Sequence, residues 1–218
     1  MISEQILEKV VAFILRERNG RQEILVFDHP TAGTQIPAGT VEEGESLEAA
    51  VLRETKEETG FTGSIVRPLA SPTFDPLGAD RVIALKKVTL RQNPAPDADP
   101  IPSLWSGGRG MPFNRVEAKA PQNRFIYVAR REIDHNQTPP KLIEEFQGWI
   151  PAKLVTRQQR RHYFQIRLHE NDTPEQWIIE GDYQHHWRLY WTPLEPRPQL
   201  MGWQNDWLAH VWDTLRDS

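Results

Sequence analysis

Hydrophobic and polar positions alternate with recognisable periods along the 218-residue chain. Residues 9–15 and 23–27 are rich in β-branched and aromatic side chains, which are typical of strands. Asn19 and Gly20 lie between these runs, and this dipeptide tolerates the positive φ angles that a two-residue hairpin turn requires. The pattern therefore predicts a β-hairpin over residues 9–28.

The next clear element is a helix over residues 47–59, because Ser46 can cap its start and Gly60 suits its end. Apolar residues at helical spacing near the C-terminus predict a closing amphipathic helix that includes Trp207, Leu208 and Val211. Further strands are predicted over 81–90, 123–133, 142–149, 162–169, 176–180 and 186–192.

Proline content separates the middle of the chain from its two ends. Nine of the 18 prolines fall between Pro68 and Pro121, and glycines at 107 and 108 interrupt the same stretch. Helices are disfavoured there because proline lacks a backbone donor and glycine loses more entropy on ordering. This segment is therefore expected to be rich in short strands and ordered loops.

Composition excludes several classes of protein. Apolar residues make up 38 % of the chain, with 8 Trp and 8 Phe, which supports a packed core and argues against disorder. The net charge of −4 gives no electrostatic reason to expect duplex nucleic acid as a partner. Without cysteine there is no disulfide framework and no thiolate nucleophile. The apolar run at 10–15 is too short for a signal peptide core or a membrane span, so we expect a cytoplasmic protein with no membrane partner.

Three acids in the predicted helix carry the candidate chemistry. Glu54, Glu57 and Glu58 stand at i, i+3 and i+4, so one helix face presents three carboxylates within a turn. Like charges at this spacing repel, and acids in the last turn oppose the helix dipole. A hard divalent cation such as Mg²⁺ would offset both costs, since it prefers carboxylate oxygens. Arg53 stands four residues before Glu57 and can orient that carboxylate; the alternative is an acidic, solvated helix face.

The segment 39–61 resembles the Nudix box, the signature of the Nudix hydrolases. That pattern is Gly, five residues, Glu, seven residues, Arg-Glu, an apolar residue, any residue, Glu-Glu, any residue, Gly and an apolar residue. The residues in register are Gly39, Glu45, Arg53, Glu54, Glu57, Glu58, Gly60 and Phe61. Thr55 departs from the pattern at an apolar position, which concerns packing more than chemistry.

The resemblance implies an α/β fold, the Nudix α/β/α sandwich around a mixed sheet, with a β-rich insertion. We predict a discontinuous Nudix core of residues 1–68 and 157–218, with residues 69–156 as the inserted segment. Within the insertion, residues 148–155 are similar to the closing strand of small Src-homology-type barrels. A small barrel and an extended sheet decoration are both open for this segment.

The resemblance also implies a metal-dependent hydrolase that cleaves a phosphoanhydride of a nucleoside diphosphate linked to another group. Glu54, Glu57 and Glu58 would bind Mg²⁺ or Mn²⁺, with Arg53, Glu54 and Glu57 in the catalytic machinery. Residues 36–39, which lead into the box, are similar to the corresponding segment of some ADP-sugar pyrophosphatases. This similarity favours a small, ADP-ribose-like nucleotide substrate. A catalytically silent Nudix-fold nucleotide sensor or binding protein is the alternative, and a homodimer is left open.

Residues outside the box supply further candidates. The general base is unassigned; Glu180 ranks first because a Gly-Asp loop signal follows it, and Glu170 and Glu175 are the others. Arg160 and Arg161 belong to the densest basic cluster, 157–162, and could contact substrate phosphates. Glu180 could instead be a solvated acid in a loop. The two arginines could instead lie on a solvated strand edge that their charge protects from pairing with another strand.

Overall fold

A computed structural model describes residues 1–101, 107–169, 173–180 and 186–217. These residues form two α-helices, α1 (Leu47–Thr59) and α2 (Gln204–Arg216), and one 3₁₀ helix, Ala152–Leu154. The strands are β1 (Ser3–Arg18), β2 (Arg21–His29), β3 (Gly33–Gln35), β4 (Ala38–Thr40), β5 (Gly63–Pro68), β6 (Thr73–Phe74), β7 (Arg81–Ala84), β8 (Pro112–Arg115), β9 (Phe125–Asp134), β10 (Lys141–Pro151), β11 (Val155–Leu168), β12 (Gln176–Glu180) and β13 (His186–Pro193).

The chain divides into two compact units. The strand unit comprises Met1–Glu8, Phe74–Ile133 and Lys141–Arg160, and the helical unit comprises Lys9–Thr73, Asp134–Pro140 and Arg161–Ser218. The assignment of residues 69–156 as an insertion in a Nudix core stays a prediction.

In the helical unit the sheet order is β12-β13-β2-β1, with β4 paired to β1 and β3 paired to β2. The hairpin of β1 and β2 closes at Asn19 and Gly20, which have φ angles of 52° and 72°. Arg18 pairs with Arg21 directly across this two-residue turn. The predicted hairpin is confirmed. Both turn residues adopt the positive φ angles that an Asn-Gly turn requires.

Alternate residues of β1 face opposite layers of the helical unit. Val10, Ala12 and Ile14 belong to a buried cluster that includes Ala50 and Val51 of α1. The intervening residues 11, 13 and 15 pack in a second cluster, together with four buried residues of α2. This period of two places one helix on each face of the sheet. The predicted α/β sandwich is confirmed in this unit.

The strand unit has its own core. Its antiparallel strands β7, β8 and β9 pair in sequence order, and β10 borders β9. Buried side chains from β7, β9 and β10, including Val82, Val128 and Ile150, pack together. The segment 148–155 forms the end of β10, the 3₁₀ helix and the start of β11, with the Trp149 ring edge-on to Tyr127 at 5.1 Å. A closed barrel in this unit stays a prediction.

Several boundaries differ from those predicted. The strand predicted over 81–90 ends at Ala84, because the chain then turns: the backbone N–H of Leu85 bonds Leu154 O, and that of Val88 bonds Gly107 O. The strand predicted over 162–169 begins earlier, at Val155. The strands β3, β4, β6 and β8 have two to four residues each, too few for an alternating pattern to be recognised. The six-residue strand β5 was not predicted either. Neither described helix has the length or apolar character needed to cross a bilayer.

Candidate active site

Helix α1 has the boundaries that its capping residues predict. The Ser46 side chain accepts a hydrogen bond from the backbone N–H of Ala49 at 3.1 Å. At the other end Gly60 adopts the left-handed conformation, with φ of 80°, and its N–H bonds Lys56 O at 2.9 Å. A side chain would strain this C-terminal position, so the glycine fixes where the helix ends.

The buried face of α1 explains the unusual threonine in the box. Thr55 is fully buried, and its hydroxyl donates to the backbone oxygen of Val51 at 2.7 Å. The next turn repeats this contact, because Thr59 Oγ1 donates to Thr55 O at 2.6 Å. The hydroxyl is therefore satisfied inside the helix, which allows a threonine to be buried at the apolar position of the box. The acids at 54, 57 and 58 lie outside this buried set.

Arg53 is the centre of a network of acidic side chains. Its Nε and Nη2 donate to both carboxylate oxygens of Glu45, at 2.9 and 3.0 Å. Its Nη1 donates to Glu54 Oε1 at 2.9 Å and to Glu57 Oε2 at 3.0 Å, and Nη2 also donates to Thr40 O at 3.1 Å. The planar guanidinium thus joins the loop before α1, strand β4 and two acids of the helix.

The first glycine of the box lies against the Glu54 carboxyl group. A Cβ atom at Gly39 would stand 1.8–2.3 Å from the Glu54 carboxyl carbon and both its oxygens. Glu54 Oε1 also accepts the backbone N–H of Thr40 at 3.2 Å. The absence of a side chain at 39 is therefore what allows Glu54 to occupy this position. This is the physical reason for a glycine at the start of the motif.

Strand β4 holds a second acid in the same way. The backbone N–H of Ala38 donates to Glu58 Oε2 at 2.9 Å. Because alternate backbone groups of a strand point to the same side, the N–H groups of residues 38 and 40 face α1 together. β4 is itself fixed by its pairing with β1, in which Gly39 lies opposite Val10. The acids of α1 are therefore positioned by backbone donors as well as by Arg53.

A residue of the C-terminal helix supports this strand, and the sequence did not reveal it. Gln204 is buried, and its Oε1 accepts the backbone N–H of Ile36 at 2.8 Å. Ile36 precedes by two residues the Ala38 donor that holds Glu58. A glutamine in an amphipathic helix gives no signal of such a role, since its partner is a backbone group 168 positions away.

The acids differ in electrostatic environment. The hydrogen bonds from Arg53 hold the pKa of Glu45 below its ordinary value. Burial raises the pKa of Glu54, whose side chain is only 13 % exposed, and the neighbouring Glu57 charge adds to the rise while Arg53 opposes it. Burial disfavours the charged form of a carboxylate that lacks full compensation. A nearby cation would therefore stabilise the charged form of Glu54.

The donor set has the chemistry that Mg²⁺ and Mn²⁺ require, since all three predicted ligands are carboxylates. In the described residues, however, no three acidic or histidine side chains converge closely enough to hold an ion as they stand. Glu57 is 58 % exposed and bonded to Arg53, so it is the acid that can rotate toward a cation most readily. The metal-ligand assignment of Glu54, Glu57 and Glu58 remains a prediction.

The basic candidates Arg160 and Arg161 make contacts within their own units. Arg160 belongs to the strand unit, where its guanidinium pairs with Glu8. Arg161 is buried in the helical unit, with its guanidinium carbon 3.8 Å from the ring centre of Trp207. Arg161 is therefore not at the solvated strand edge that the sequence left open as its alternative. A role for either residue in binding phosphate stays a prediction.

Of the three candidate general bases, the structure describes Glu175 and Glu180. Glu180 is exposed at the end of β12, opposite His186. Glu175 pairs with Arg16, with both carboxylate oxygens within 3.0 Å of Nη2. Glu170 lies outside the described residues. The assignment of the general base to Glu180 stays a prediction.

Comparison with known proteins decides the family. The sequence profile of the NUDIX domain matches residues 7–123, which is more than half of the chain and includes all of α1. This chain belongs to the Nudix family. The α/β class and the box of this Nudix protein are thus confirmed by the matched domain and by the fold.

Two curated relatives match parts of this Nudix protein. Mouse (Mus musculus) ADP-sugar pyrophosphatase is 36 % identical over 73 residues, which cover 34 % of either chain. ADP-ribose pyrophosphatase of Saccharomyces cerevisiae is 32 % identical over 97 residues, or 42 % of either chain. The chain therefore spans well under half the length of these relatives.

Among solved structures, the crystal structure of Ap4A hydrolase from Caenorhabditis elegans aligns over 97 % of this chain and 95 % of its own. The TM-score of that alignment is 0.35 and the identity is 13 %. Values this low support no conclusion about this Nudix protein.

Proposed function

We propose that this protein is a metal-dependent pyrophosphohydrolase that cleaves a phosphoanhydride bond of a nucleoside diphosphate linked to another group. The observation that carries the proposal is the Glu54 carboxylate, desolvated against Gly39 and held between Arg53 and the Thr40 N–H. A buried acid beside a second acid is unfavourable in itself, and a cation offsets that cost. The family and its pyrophosphatase members support the same reading.

Each residue has a role in this proposal. Glu54, Glu57 and Glu58 bind Mg²⁺ or Mn²⁺, and Arg53 fixes the helix relative to β4 and the preceding loop. The bound ion supplies charge neutralisation at the phosphate oxygens and a lower pKa for the attacking water. To bind the ion, Glu57 would have to give up its contact with Arg53. A chain of this kind would act in the cytoplasm on a small nucleotide-type molecule.

The named activities of two relatives favour ADP-ribose-like substrates. Both are pyrophosphatases, one of ADP-sugars and one of ADP-ribose. Their similarity covers only part of their length, so the substrate class rests on the assay rather than on the likeness. The nucleotide sensor is the competing function, and the same assay separates the two.

The experiment measures cleavage and ion binding side by side. Purified protein is incubated with ADP-ribose, NADH, diadenosine polyphosphates or deoxynucleoside triphosphates, with Mg²⁺, Mn²⁺ or a chelator, and the released mononucleotide is quantified. Glu57→Gln and Glu58→Gln are each expected to lower the rate about a hundredfold or more. Calorimetric titration of Mn²⁺ should show weaker binding by the same variants.

Glu48→Gln is the matched control, because it makes the same chemical change in the first turn of α1, away from the other acids. It should leave both rate and Mn²⁺ affinity near those of the parent. Equal rates for the parent and Glu57→Gln with a good substrate would overturn the site assignment. Cleavage of no compound, together with a raised melting temperature in the presence of one, would favour the sensor.

A further inference from the structure

The chain segment that leads from β3 into β4 pairs with β1 along one of its edges. The backbone N–H of Ala12 in β1 donates to Pro37 O at 2.9 Å, and the pairing continues along β4. Because successive backbone groups of an extended chain point to opposite edges, the N–H groups of residues 36, 38 and 40 point away from β1. On this second edge each of the three donates to a side-chain oxygen. Side chains thus take the place that a neighbouring strand would occupy.

The side chains along this edge come from both α1 and α2. The acceptors are Gln204 Oε1 of α2 for the N–H of Ile36, Glu58 Oε2 of α1 for that of Ala38 and Glu54 Oε1 of α1 for that of Thr40, at 2.8, 2.9 and 3.2 Å. Alternate residues of a strand lie about 7 Å apart, so the glutamine of α2 stands in one row with two acids of the candidate site. The first donor of the row is therefore held by α2 and the other two by α1.

The position of Gln204 is itself well defined. The residue is only 7 % exposed, and its Nε2 donates to Gln35 Oε1 at 3.3 Å. The start of α2 is bonded to the same part of the chain by the N–H of Met201, which donates to Thr34 O at 2.8 Å. Two turns further along α2, Val211 is fully buried in the apolar core. Because α2 is anchored at both points, it provides a fixed support for the strand edge.

We propose that Gln204 is a positioning residue for Glu58: by accepting the Ile36 N–H it fixes the strand edge, and so places the Ala38 N–H where the Glu58 carboxylate meets it. This inference rests on the proposed function, in which Glu58 binds the ion. Ile36 is 1 % exposed, so its N–H gains no water when the glutamine oxygen is removed. The strand must then shift to satisfy this donor, and Ala38 is the next donor on the same edge.

The effect should decrease along the edge. Thr40 lies four residues from Ile36 and is held a second time, because its carbonyl oxygen accepts Arg53 Nη2 at 3.1 Å. Glu54, which accepts the Thr40 N–H, should therefore stay in place when Glu58 moves. A graded effect of this kind separates the positioning of one acid from a general loosening of the site.

Amide hydrogen exchange of the ligand-free protein tests the positioning directly. Gln204→Met keeps nearly the length and volume of the side chain and removes its polar atoms. The Ala38 amide should exchange about tenfold faster in this variant or more, whereas the Thr40 amide should change little. Val211→Ala is the matched control, because it weakens the packing of the same helix and leaves the Gln204 contact intact. It should not change the ratio of the two exchange rates.

Manganese binding and hydrolysis provide the second readout. Gln204→Met should weaken Mn²⁺ binding, measured by calorimetry, about tenfold or more, as expected when the support of a metal ligand is lost. The Mn²⁺ concentration for half-maximal hydrolysis should rise by a similar factor. The KM for nucleotide at saturating Mn²⁺ should stay near that of the parent, because Gln204 acts through Glu58. For the same reason, Gln204→Met combined with Glu58→Gln should bind Mn²⁺ scarcely more weakly than Glu58→Gln alone.

Parent-like exchange of the Ala38 amide in Gln204→Met would overturn the proposal. An equal loss of Mn²⁺ affinity in Val211→Ala would also overturn it, because the effect would then come from the stability of α2. If the parent cleaves no nucleotide, the proposed function fails, while the exchange rates and the calorimetric titration still decide whether Gln204 positions Glu58.

Discussion

Gly39→Ala tests the close contact on which the candidate site is built. The new Cβ would stand 1.8 Å from the carboxyl carbon of Glu54, far inside any allowed contact. The strand has little freedom to retreat, since the N–H groups on both sides hold acids of α1 and Gly39 itself pairs across from Val10. The Glu54 side chain must therefore move, because its end is the only flexible partner.

The expected effect is larger on activity than on stability. Displacing Glu54 breaks its bonds with the Thr40 N–H and with Arg53. Hydrogen bonds to a charged group contribute about 1.5–3 kcal/mol, and relief of the buried carboxylate offsets part of this, so the loss in unfolding free energy should be about 1–2 kcal/mol. A misplaced catalytic group can lower a rate about a hundredfold.

The assay combines the rate of nucleotide hydrolysis with urea unfolding for Gly39→Ala, Glu54→Gln and the double variant. If Gly39→Ala acts by displacing Glu54, the double variant should be scarcely slower than either single one. Gly108→Ala is the matched control, because its added Cβ would meet no atom within 4 Å. A parent-like rate for Gly39→Ala, or fully additive losses in the double variant, would refute the reasoning.

Two further predictions concern the support of the site. Gln204→Leu leaves the buried N–H of Ile36 without its acceptor and should lower the free energy of unfolding by about 1–3 kcal/mol, measured in urea. Glu45 has a lowered pKa, so its contribution to stability is present above its unfolded pKa and is lost as the pH falls through the lower folded value. Glu45→Gln should therefore be less stable than the parent at pH 7, and unfolding curves at decreasing pH should show the difference disappearing.

Local signals sufficed for the hairpin of β1 and β2 and for α1. In both, the residues that set the boundaries are neighbours in sequence: Asn19 and Gly20 for the turn, Ser46 and Gly60 for the helix. These features depend on backbone conformations that a few residues fix by themselves.

Other features depend on distant partners and left no local pattern. Strand β4 has three residues and forms because it pairs with β1 and binds two side chains of α1. The buried position of Arg161 follows from its stacking on Trp207, whereas the sequence shows only a basic cluster. Periodicity cannot report contacts between segments far apart in sequence, and these contacts decide which charged residues stay exposed.

Three positions of the box break local rules of stable strands and helices. Gly39 weakens a strand, Thr55 puts a hydroxyl in a buried helix face, and Glu54 buries a carboxylate beside Glu57. The Thr55 hydroxyl is satisfied by a hydrogen bond within α1. Gly39 and Glu54 are explained only together, because the missing side chain at 39 leaves room for the Glu54 carboxyl group, and that carboxyl group gains no stability from its burial. A fold selected for stability alone would remove both by placing an apolar residue at 54 and a β-branched one at 39. Their presence together supports the proposed cation site.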